Sequence, residues 1–70
     1  MKLIQKLSKV DELYFTNDFE DAVIRYSKKD GHFVKFKGKS EFPQVHSSQI
    51  VFDGLCDNNE ISKKEYEDFK

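Results

Sequence analysis

The residues whose types and spacing bear most directly on chemistry lie in the last third of the chain, in "CDNNEISKKEYEDF". Aligned on Ile61, this stretch places Ser62 at the ninth and Glu65 at the twelfth position of a calcium-binding EF-hand loop, where a bidentate carboxylate is needed. The first half of such a loop is missing. Its first, third and fifth positions are Gly54, Cys56 and Asn58, and Asn59 replaces the glycine of the sharp turn. With two hard oxygen ligands lost, no calcium site is expected. A capped helix start accounts for the same residues: Ser62 and Glu65 form a capping box, and Ile61 and Tyr66 occupy the two positions of a hydrophobic staple.

The other candidate groups point away from catalysis. His32, His46 and Cys56 are the soft metal ligands, and no two have the short spacing of a zinc site, which also wants four ligands. Cys56 as a nucleophile would need a neighbouring base, yet His46 stands near the start of the helix that Cys56 ends. Cys56 is instead expected to be a small core residue. The acids Asp57 and Glu60, and Asp18, Glu20 and Asp21, read as loop and first-turn carboxylates. Gly31, Gly38 and Gly54 are scattered at turns or element ends and form no phosphate-binding loop. A chain this short also leaves little room for a pocket of the ~300 Å³ that small-molecule sites usually need. No enzyme activity, cofactor or metal is expected.

Charge supplies the one sharper candidate. Residues 25–39 hold six Lys or Arg against Asp30 alone, whereas residues 11–21 hold five acids and no base. On a hairpin, Arg25, Phe33, Lys35 and Lys37 would share one face, with Lys39 just beyond. Cations beside an exposed ring can neutralise phosphates and stack a base. The simpler alternative is that these lysines keep a sheet face soluble or pair with the acidic segment.

The elements that must position these groups follow from patterning. "ELYFT", residues 12–16, alternates as a strand, while Leu3, Ile4, Leu7, Val10 and Tyr14 keep helical spacing. In "AVIRYSKKDGHFVKF" two β-rich runs flank a loop of Lys29, Asp30 and Gly31. The expected register sets Lys28 opposite His32, pairing Tyr26 with Val34 and Ile24 with Phe36 on one face, and Arg25 with Lys35 and Val23 with Lys37 on the other. A competing reading makes "NDFEDAVIRYSKKDG" a helix capped by Asn17 and ending before Gly31. "SEFPQV" can return as an edge strand restricted by Pro43. Ser47 or Ser48 can cap a first C-terminal helix that buries Ile50, Val51 and Leu55 and ends at "DNN"; the second helix starts at Ser62.

With 70 residues, the chain has room for one small domain, residues 1–70. Its ten Phe and Tyr rings compensate for 37% hydrophobic content, and a net charge of −1 offers no global attraction for nucleic acid or membrane. One cysteine and no long apolar run suggest a cytoplasmic protein, and eleven Lys against one Arg suggest low-GC coding of bacterial or phage type. The expected fold is α+β: an antiparallel meander of about three strands, one face covered by a C-terminal pair of short helices. Its core is Phe15, Tyr26, Phe36, Phe52 and Phe69 with Ile24, Val34, Ile50 and Leu55. The function expected by elimination is a binding or regulatory module working through protein contacts, with a protein partner or a second copy. Tyr14, Phe33 and Tyr66 are the rings expected to be exposed. Nucleic-acid binding through Arg25, Phe33, Lys35, Lys37 and Lys39 is the alternative.

Overall fold

The computed structural model describes residues 2–45 and 48–69, so His46 and the proposed cap Ser47 lie outside the described residues. The elements are α1 (Leu3–Lys6), β1 (Glu12–Asn17), β2 (Ala22–Ser27), β3 (Gly31–Phe36), β4 (Phe42–Gln44), α2 (Gln49–Asp57) and α3 (Lys63–Asp68). The strands form one antiparallel sheet in the order β1-β2-β3-β4, one more strand than expected.

Residues 22–27 are strand, not helix. As a central strand β2 buries Ala22, Val23 and Ile24 in succession, so both of its faces are covered. A helix would bury only one stripe of these residues. Asn17, the would-be helix cap, is the last residue of β1 and is wholly buried. Its side-chain nitrogen donates to the Ile50 carbonyl of α2 at 2.9 Å, and its oxygen accepts from the Glu20 amide at 3.1 Å. The amide therefore closes the β1–β2 turn and holds that turn to α2.

The β2–β3 hairpin forms with a register two residues from the expected one. Ser27 faces Gly31, Tyr26 faces His32, Arg25 faces Phe33, Ile24 faces Val34 and Val23 faces Lys35. The loop is Lys28, Lys29 and Asp30, and Gly31 takes φ 89°, a left-handed value that favours glycine. A slip of two preserves which face each side chain occupies, which is why hydrophobic sorting alone accepted the wrong pairing. It also removes the unfavourable opposition of Arg25 and Lys35.

The C-terminal helices do not share a face of the sheet. On the inner face α1 and α2 cover Leu13, Phe15, Ala22, Ile24 and Val34, which form the core with Leu3, Val51 and Leu55. Gly54 makes the close approach possible. A Cβ there would stand 2.7 Å from Ile24 Cδ1 and 3.0 Å from Phe15 Cε2, so this glycine is a packing residue within α2 and not a turn residue. The chain then runs along β1: the Thr16 amide donates to the Asn59 carbonyl at 3.1 Å, and the Ile61 amide to the Tyr14 carbonyl at 2.9 Å. This strip carries the chain round the edge of β1 to α3, which lies on the outer face with Tyr66 against Tyr14.

The capping box is formed as expected. The Ser62 hydroxyl accepts from the Glu65 amide at 3.0 Å, and the Glu65 carboxylate accepts from the Ser62 amide at 2.9 Å. Ser48 is the N-cap residue of α2, without a side-chain cap bond, and Asn58 ends the helix in the left-handed conformation at φ 57°. The Asn58 side chain then accepts from the Leu3 amide at 2.8 Å, so it also closes the start of α1.

Phe15, Ile24, Val34 and Leu55 are core residues, with Tyr26, Phe36 and Ile50 packed against them. Phe52 is not: it is 50% exposed on α2. Phe69 lies outside the core cluster, beside Val23 and Ile61 in a recess on the α3 side. Cys56, expected in the core, is an exposed free thiol, because residues 51, 54 and 55 carry the inward stripe of α2.

Candidate functional site

The outer face of the sheet holds the predicted basic candidates and an acid that sequence reasoning did not connect to them. Arg25 on β2 donates through Nε and Nη2 to the two carboxylate oxygens of Glu41, at 3.3 and 3.1 Å. Its guanidinium also stands 4.3 Å from the centre of the Phe33 ring, a cation–π stack made possible by the observed cross-strand pairing. Glu41, in the β3–β4 connection, accepts a further hydrogen bond from the Tyr66 hydroxyl at 2.6 Å. Lys35 on β3 donates to the Tyr66 carbonyl, and its ammonium lies 4.4 Å from the Tyr66 ring centre. Tyr14 completes the cluster, 5.4 Å from Tyr66 between ring centres.

Tyr66 is therefore the hub of this face and is only 4% exposed, against the expectation of an exposed ring. Tyr14 and Phe33 are half-buried. Burial pushes the Tyr66 hydroxyl well above its ordinary range, and its hydrogen bond to the Glu41 carboxylate adds to that. Burial alone would raise the Glu41 carboxyl. Hydrogen bonds from Tyr66 and Arg25 outweigh it and hold the carboxyl below its usual value. Desolvation works against the Arg25 guanidinium, but Glu41 more than offsets it, so the Arg25 charge is reinforced. Tyr14 is raised, by burial first and then by Glu12, which accepts from its hydroxyl at 3.3 Å.

These groups line an open groove of about 520 Å³ that also takes in Glu12, Ser40, Lys63 and Glu67. Its volume exceeds what a 70-residue chain was expected to offer. Its lining combines Arg25, Lys35 and Lys63 with Glu12, Glu41 and Glu67, so the charges balance. Lys39 lines an adjoining recess with Lys35, Glu67 and Phe69, and Lys37 is exposed at the start of the β3–β4 turn. Of the predicted binding residues, Tyr14, Arg25, Phe33 and Lys35 thus meet on one face, while Lys37 and Lys39 stand at its border.

The other candidate groups are dispersed. His32 is buried with its ring 5.1 Å from that of Tyr26, on the sheet face opposite Arg25. Glu65 spends its carboxylate on the capping box. Among the described residues no cluster of three or more His, Cys, Asp or Glu side chains is arranged to hold a metal ion. None of their helices is long and apolar enough to cross a membrane.

Sequence reasoning missed the exposed apolar side chains. Phe19 is 87% exposed in the β1–β2 turn, and Ile4, Val45 and Phe52 are at least half exposed. Phe19 had a detectable signal, since it sits among Asp18, Glu20 and Asp21 in a segment with no other apolar residue. Its turn is tightly fixed. Besides the Asn17 bonds, the Asp18 amide donates to the Asp57 carboxylate at 3.1 Å, and Asp21 adopts φ 53°. Comparison with protein-family models, with curated proteins and with solved structures finds no match for this chain.

Proposed function

We propose that this protein is a small non-enzymatic binding or regulatory module that works through protein contacts. The observation that carries this reading is Phe19, a large ring held almost wholly in solvent on a turn tied down at Asn17 and Asp57. A ring on a fixed turn loses little conformational freedom on docking, and such rings are frequent binding hot spots. The flanking Asp18, Glu20 and Asp21 suit a partner whose apolar pocket has a basic rim.

The sheet edges support docking through side chains over strand addition. The strip of residues 59–61 covers β1, and β4 is three residues long with Pro43, which has no N–H, at its middle. The alternative of nucleic-acid binding through Arg25, Phe33, Lys35, Lys37 and Lys39 is weakened by the pairing of Arg25 with Glu41 and of Lys35 with Tyr66. The setting in this reading is the cytoplasm, where an exposed Cys56 stays a thiol.

The test is affinity capture with the immobilised chain, followed by titration of the captured protein. Phe19→Ala should weaken that binding roughly 30-fold, the size of a hot-spot loss, with an unchanged melting temperature. Capture that disappears on nuclease treatment, or with Lys37→Glu and Lys39→Glu while Phe19→Ala is harmless, would replace this reading with the nucleic-acid one.

A further inference from the structure

A second surface, separate from Phe19, lies where α1 crosses α2. Ile4 of α1 is 51% exposed and Phe52 of α2 is 50% exposed. Cys56, one helical turn beyond Phe52, lies exposed on the same stripe of α2. Beside that stripe is a groove of about 360 Å³ lined by Lys2, Ile4, Leu55, Cys56 and Asn58, more apolar in its lining than the charged groove on the outer face. A projecting ring and an apolar recess thus stand next to each other on one face.

Charge is arranged in the same paired way. α2 carries Asp53 and Asp57 and no basic residue, whereas the α1 segment carries Lys2, Lys6 and Lys9 and no acid. Lys6 is taken by Glu60, at 2.6 Å, while Asp57 accepts from the Asp18 amide and Asp53 from the neutral Gln49 side chain at 2.7 Å, so Asp53 keeps its charge next to Phe52 on α2 and Lys2 lines the groove on the α1 side. A twofold axis brings each feature of a surface against its neighbour on the other copy. A second copy of the same surface offers both halves at once, a ring with an acid beside it for a recess with a base beside it.

We infer that the α1–α2 face is the interface of a twofold homodimer, in which Phe52 of each copy enters the Ile4–Leu55–Cys56 groove of the other and Lys2 of each faces Asp53 of the other. This goes beyond the partner reading, because it concerns other side chains and stands or falls without Phe19.

Sedimentation equilibrium of the full chain between about 1 and 500 µM, a range chosen to span weak and moderate self-association, tests it. The expected result is a reversible dimer. Phe52→Glu should raise its dissociation constant roughly 30-fold or more, as loss of a central anchor does, with circular dichroism and melting of the monomer unchanged. Asp53→Lys should weaken it, and Asp53→Lys with Lys2→Asp should restore it. Mild oxidation should link Cys56 to Cys56 in the wild type and not in Phe52→Glu. A chain that stays monomeric at the highest concentration, or a dimer indifferent to Phe52→Glu, overturns the inference. A failed dimer with an intact Phe19 effect separates this outcome from failure of the partner reading.

Discussion

On the inner face of the sheet, Leu13, Phe15, Ile24 and Val34 meet Val51 and Leu55 with almost no exposed surface. On the outer face, Tyr14, Arg25, Phe33 and Lys35 remain part-exposed; Tyr66 and Glu41 hold Tyr14, Arg25 and Lys35 through directional contacts, and Phe33 stacks under Arg25. One sheet is thus stabilised in two ways: by close-packed apolar burial on one side, and by a charged hydrogen-bond network on the other. Burial is nondirectional and insensitive to pH. The network depends on protonation, and it leaves the groove that it lines accessible to solvent.

The difference is sharpest where a single side chain is removed. Phe15 is fully buried and lies against the glycine surface of α2, so Phe15→Ala leaves a cavity that α2 cannot easily fill. It should cost about 3–5 kcal/mol, enough to unfold much of a chain of this size at 37 °C. Urea denaturation checks this, and a loss under 1 kcal/mol would show that α2 is able to settle onto the sheet.

Tyr66→Phe tests the outer face by removing one oxygen. It breaks the 2.6 Å bond to Glu41 and keeps the ring against Tyr14, for an expected loss of about 1–2 kcal/mol at neutral pH. The pH dependence distinguishes this from a simple packing change. The folded state raises the Tyr66 pKa above the ordinary value of 10.0, so folding favours the neutral hydroxyl. That contribution is fully present below pH 10.0 and is lost as pH rises toward the folded value. The wild type should therefore lose stability above about pH 10, and Tyr66→Phe should lose less there. Parallel curves for the two proteins would remove Tyr66 from the account.

The inner face was the more legible in the sequence, and the reason is periodicity. Alternation in residues 12–16 and the β-branched runs around Gly31 identify the strands and sort their faces, because the pattern has period two. The same period hides a slip of two, so the partner of Arg25 was misread as Lys35. Gly54 and Cys56 were misassigned because one helical position decides which side faces the sheet, and the pattern "VFDGLCD" does not fix the rotation of α2. Asn17 sits in line with Leu13 and Phe15 on the inner face, but its polarity suggested a cap. In the fold it performs a cap-like task across elements. Glu41 was invisible as a site residue, since its link to Arg25 and Tyr66 spans 16 and 25 positions and local spacing carries no trace of it.

The smallest expected effect asks whether the outer face needs a guanidinium or only a charge. Arg25→Lys keeps the charge but loses the two-pronged contact with Glu41 and the flat stack on Phe33. Both partners are part-exposed, so screening keeps the loss to about 0.5–1 kcal/mol. Its dependence on acid follows from Glu41, whose folded pKa lies below the ordinary 4.5. A depressed carboxyl contributes stability above its unfolded value, and that contribution fades as pH falls through the folded one. The difference between Arg25→Lys and wild type, measured by urea denaturation, should therefore be constant from pH 6 to 8 and shrink once pH drops below 4.5. A difference that persists unchanged in acid would place the value of Arg25 in its stack on Phe33 and not in its pairing with Glu41.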